Sequence, residues 1–151
     1  MRASVRIALI LGLLLTPVHA PAADLKTAVV ESHGRQLIFT VEMATTAEAR
    51  ARGLMGRRQL AADAGMLFIF PSISRQTMWM KDTPLSLDML FIAHDGRIVR
   101  IVERTMPFST RLIASRQPIK AVLELNGGTV SDHGITPGDR LLQPKLQISS
   151  Q

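Results

Sequence analysis

Along much of this chain apolar and polar residues alternate with a period of two, so the elements that follow from the pattern are mostly strands. Residues 27–32 and 36–42 flank His33-Gly34, and Leu37, Phe39 and Val41 share one face of the second segment, which predicts a hairpin. Residues 65–70, GMLFIF, are almost wholly apolar and stop at Pro71. That is the pattern of a strand covered on both faces, hence one central to a sheet. Further strands are expected over 76–81, 87–93, 97–103 and 120–126, with a short last one over 140–143. Asp95-Gly96, between two of these runs, is the strongest short-range hairpin signal in the chain.

One segment reads otherwise. Thr45 stands three residues before Glu48, as in a capping box, and residues 47–55 have the Ala, Glu and Arg content of a helix that Gly56 can end. Gly53 inside it costs about 1 kcal/mol relative to Ala, so a close approach to a strand is the expected reason for it. Residues 105–115 and 130–139 read as irregular and turn-rich, and the polar tail from Ser149 is expected to fray. The fold class that results is α+β: about seven strands in a β-rich, mainly antiparallel, curled sheet or open barrel, covered by one main helix.

Ahead of these elements, Arg2 and Arg6, the apolar residues 7–15 and the small-residue exit Ala20-Pro21-Ala22 have the layout of a secretory signal peptide. Residues 1–22 are therefore expected to be removed on export to the periplasm or beyond, leaving residues 23–151 as a single domain without a stable membrane span. The apolar run is far shorter than the ~20 residues a spanning helix needs. The chain has no cysteine, which excludes both a lipid-anchoring cysteine and a disulfide framework, so stability must come from packing. With 18 Lys and Arg against 12 Asp and Glu it is basic, but one Trp and no Tyr offer little platform for stacked bases, and no nucleic acid is expected as a partner. A monomer is expected.

Chemistry is sparse and concentrated. Asp88 is the one charge in LSLDMLFI, and a carboxylate there requires a partner, whether backbone amides, an arginine or a ligand. Lys81 lies across the Asp-Thr-Pro turn from it. Glu124 in AVLELN shares a strand face with Val122 and Asn126; should its strand neighbour that of Asp88, the two carboxylates could share a pocket. Arg52 precedes Gly53 and could reach an anionic group. Met78 and Met80 flank Trp79; paired thioethers suit Cu(I) or Ag(I), although Met as readily fills gaps in a core. No histidine pair has zinc spacing, no serine sits in a nucleophile elbow, and no cofactor is implied.

Five segments, RARGLM at 50–55, GMLFIFP at 65–71, MWMKDTPLSLDMLFI at 78–92, LELNGG at 123–128 and GITPGD at 134–139, resemble the family known as domain of unknown function 192. The likeness spans roughly residues 32–142. It implies a compact, β-rich α+β domain, often exported, with no known substrate. Trp79, Lys81, Thr83, Pro84, Asp88 and Glu124 match the family as they stand, whereas Asp82 replaces its usual Asn.

The expectation is an exported module that binds a small ligand or an envelope component at Arg52, Trp79, Lys81, Thr83, Asp88 and Glu124. The alternatives are a hydrolase or lyase using Asp88 and Glu124, acting on an envelope polymer or small anion, and a Cu(I) or Ag(I) carrier using Met78 and Met80.

Overall fold

The computed structural model describes residues 25–142; the expected leader and the tail from Ser149 lie outside them. Strands β1 (Leu25–Ser32) and β2 (Arg35–Ala44) form the hairpin, turning through His33 and Gly34 at φ of 50° and 73°. Helix α1 (Ala47–Arg52) follows, and the chain returns as β3 (Ala64–Ser74), parallel to β2. Next come β4 (Thr77–Met78), β5 (Leu87–Ile92), β6 (Ile98–Val102), β7 (Ile113–Ala114) and β8 (Ile119–Asn126). A short helix α2 (Thr129–His133) and β9 (Arg140–Leu141) complete the order.

Seven strands make one sheet in the order β6-β5-β8-β3-β2-β1-β9, with β4 and β7 paired separately. β3 is central, as its two-sided apolarity requires. The sheet curls until its ends nearly meet: Leu142 N–H donates to Val29 at 2.8 Å, while Leu141 N–H donates to Gly96 at 2.8 Å beside an Arg97–Arg140 bridge. Full closure would leave no strand edge to aggregate, and here two short contacts come close to achieving it.

Curling divides the core. Alternate residues from nearly every strand, including Val30, Phe39, Val41, Leu67, Leu90, Leu123 and Leu141, fill the interior with Val130 of α2. The other face of β3, β5 and β8 carries Met66, Phe68, Leu87, Met89, Phe91 and Val122, packed under Leu54 and Met80. The candidate site grows from this second cluster.

Several local expectations change: β3 runs on through Pro71 to Ser74, and β7 forms in the stretch that reads as irregular. α1 is a turn shorter than residues 47–55 and begins one residue later than a Thr45 cap implies, because Thr46 Oγ1 accepts the Ala49 N–H at 3.1 Å. Gly53 ends it rather than sitting inside it: its φ is 48°, and a Cβ there would meet the Phe68 ring at 3.2 Å. The strand expected over 76–81 keeps only Thr77–Met78, since Met80 N–H turns to Ser109 and Thr83 N–H closes back on Met80. Helix α2 forms in the stretch that reads as turns, its start supported from outside its own segment.

Candidate functional site

Two buried carboxylates face opposite ways. On β5 and β8, Met89 pairs with Glu124 and Asp88 with Leu125. Paired residues share a face, so Glu124 lies on the Met89 side and Asp88 on the Leu125 side. The strands are neighbours, but the sheet stands between the two acids, and no pocket holds both.

Asp88 is completely buried and fully engaged. Its Oδ1 accepts the Arg104 N–H at 2.8 Å, and its Oδ2 accepts those of Gly128 at 3.0 Å and Val130 at 2.8 Å. Gly128, at the start of α2, has no side chain with which to cap it, and Asp88 supplies that cap from a distant strand. The partner demanded by a lone acid in an apolar strand is thus the backbone.

Glu124 is the opposite case. It is 4% exposed, flanked across the sheet by Met66 on β3 and Met89 on β5, and no hydrogen bond or ion pair reaches its carboxyl group within the described residues. Since every sealed side-chain nitrogen or oxygen in the described structure has a partner, its carboxyl oxygens must retain contact with open space. Burial pushes its pKa up to about 8.

That space is a cavity of about 30 Å³ between the end of α1, Phe68 and the segment around Trp79, room for one small polar group. Leu54 and Met80 wall it beneath; Arg52 and Trp79 stand at its rim, Trp79 44% exposed. Arg50 pins α1 over β3, donating to the carbonyls of Thr45 and Ile69 and lying over the Phe70 ring. Arg52 has no ion pair within the described residues and points its charge to solvent. Lys81 Nζ lies 5.4 Å from the Trp79 ring centroid, a cation–π contact that poises the indole. Thr83 is buried against the cavity, with its hydroxyl donating to the Lys81 carbonyl at 3.1 Å.

Of the residues singled out from sequence, Arg52, Trp79, Thr83 and Glu124 therefore meet at one cavity, Lys81 stacks beside it, and Asp88 lies behind the sheet. Met78 and Met80 also line the cavity, and the Met80 sulfur accepts the Thr105 hydroxyl at 3.2 Å. No cluster of three His, Asp or Glu able to hold a metal occurs among the described residues. Sequence reasoning missed Phe68, Met66 and Met89 as the greasy frame of Glu124; the register of β3, β8 and β5 is the signal that identifies them.

A family model covering residues 28–143, DUF192, described as an uncharacterised ACR, matches this chain. The chain belongs to the DUF192 family. A solved structure from Sinorhizobium meliloti 1021, designated a candidate transcription regulator, superposes with a TM-score of 0.79 at 47% identity, covering 82% of this chain and 96% of that one. A protein of unknown function from Novosphingobium aromaticivorans DSM 12444 does so with a TM-score of 0.78 at 31% identity, covering 83% and 94%. A search of curated proteins finds no match.

The DUF192 fold also accounts for the Asn usual at position 82. Asp82 has φ of 53°, and its carbonyl accepts the Gly56 N–H at 2.7 Å. Asn and Asp are the side chains that best tolerate this left-handed backbone. Either residue satisfies that backbone requirement.

Proposed function

We propose that this DUF192 domain is an exported binding module that receives the amine-bearing end of a small ligand or envelope component at Glu124. The supporting observation is a buried carboxyl group with no protein partner, opening into a cavity that fits one small head group. An ammonium would supply the opposite charge and three donors that the protein withholds. Phe68, Trp79 and the thioethers around it suit a cation in a largely apolar wall. Arg52 and Lys81, outside, favour a ligand whose remaining part is acidic. Export rests on the layout of residues 1–22, and no helix among the described residues is long and apolar enough to cross a membrane. The acid–base reading loses its basis because Asp88 and Glu124 lie on opposite faces.

Trp79 is the chain's only tryptophan and stands at the cavity rim, so its fluorescence reports binding directly. Titration with ethylamine, glycine and γ-aminobutyrate should give a saturable change with at least one, absent in Glu124→Gln. Affinity should tighten by about tenfold per pH unit as the pH approaches 8, because the ammonium selects the ionised carboxylate. An equal response from Glu124→Gln, or no response to any of the three, would reject the assignment.

A further inference from the structure

A second concavity, on the other side of Met80, has different chemistry. Between β6 and the 105–116 segment runs a groove of about 510 Å³, the size of a small-molecule site, where the Glu124 cavity admits a single group. Three guanidinium groups, Arg100, Arg111 and Arg116, line it, and no carboxylate does. None of the three is in an ion pair within the described residues. Beside them the groove presents Val102 and two conspicuously uncovered apolar side chains, Met106 at 74% exposure and Leu112 at 67%. We propose that this groove is a binding site for a single-chain anionic amphiphile, its acid head among the three arginines and its tail along Val102, Met106 and Leu112.

Electrostatics supports the choice of an anion. Arg100 is half-buried, its guanidinium 5.5 Å from the Phe91 ring centroid. Desolvation, and then the like charge of Arg116, pull its pKa down from the usual arginine value. The fold thus holds positive charges near one another in a partly dry groove without a counter-charge, and a carboxylate or phosphate accepting forked guanidinium hydrogen bonds relieves that repulsion. A free inorganic anion would leave Met106 and Leu112 uncovered. An apolar ligand alone would leave the arginines unpaired. An anion with a tail satisfies both.

The test is calorimetric titration of the full chain with dodecanoate below its micellar concentration, alongside acetate, dodecyltrimethylammonium and a short DNA duplex. Dodecanoate should bind one per chain, acetate at least about tenfold more weakly, and dodecyltrimethylammonium not at all. Arg111→Gln with Arg116→Gln, both exposed, should weaken dodecanoate binding by about tenfold or more without moving the melting temperature. Glu124→Gln should bind it as the parent does, which separates this site from the amine cavity. Absence of saturable dodecanoate binding, an undiminished double variant, cationic detergent binding equally well, or DNA binding more tightly would each overturn the proposal.

Discussion

Asp88 and Glu124 begin alike, as single acids in apolar strands, and end with opposite roles because of what meets each oxygen. Three backbone N–H groups converge on Asp88. An Asn there can accept through only one oxygen and would turn its own N–H toward those donors. Asp88→Asn should therefore lower stability by about 2–4 kcal/mol in urea unfolding, with Trp79 and the amine cavity unaffected in the protein that remains folded. Glu124 works the other way. Its folded pKa of about 8 stands above the ordinary 4.5, so the native chain holds a proton that the unfolded chain has already released. Its contribution to stability is complete below pH 4.5 and is lost as the pH rises through 8, an effect of a few kcal/mol at the upper end. Melting curves across pH 5–9 should show this decline in the parent and its absence in Glu124→Gln; parallel curves would contradict it. From sequence, both acids stand out as anomalies. Which one had donors could not be read, because Gly128 and Val130 lie 40 and 42 residues from Asp88.

At the scale of elements, pattern and turn chemistry placed the strands well, including the Asp95-Gly96 hairpin and the two-sided β3. They failed where long-range contacts overrule local preference. Trp79 is not in a strand because Met80 N–H bonds to the Ser109 carbonyl and Thr83 N–H to that of Met80, and that departure is what frees the indole to rim a cavity. Helix α2 was illegible for the same reason, since its cap comes from β5. Helix α1 was placed but overextended, because Gly53 is a stop seated against Phe68 rather than an interior residue. Gly53→Val should destabilise the chain by more than the ~1 kcal/mol of an ordinary helix glycine change, since it adds ring overlap to a left-handed φ. Thr46→Ala, removing only the cap, should cost about 1 kcal/mol, measurable by denaturant midpoint at constant slope. Equal losses for the two would deny the close packing of α1 on β3.

For the molecule as a whole, the nearly closed sheet separates two tasks. The interior cluster, joined by α2 and sealed by β9, is a scaffold; the outer cluster beneath α1 and Met80 bears the cavity and borders the groove. Leu141, buried at the seam, tests that division. Leu141→Ala should cost about 2–4 kcal/mol and increase amide exchange in β1 and β6 while leaving amine binding at Trp79 unchanged in the folded state. The curled β-rich architecture was legible from alternation alone. The site was legible as residue types but not as a place, because face and register decide that Glu124, Trp79, Thr83 and Arg52 converge while Asp88 does not.

Amine binding depends on the carboxyl group of Glu124, and the ¹³C resonance of that group, followed by NMR against pH with and without γ-aminobutyrate, tests it most directly. The expected result is a midpoint near pH 8 in the free protein, moving lower as the amine saturates Trp79. A midpoint at the ordinary value near 4.5 that ignores the amine would contradict it.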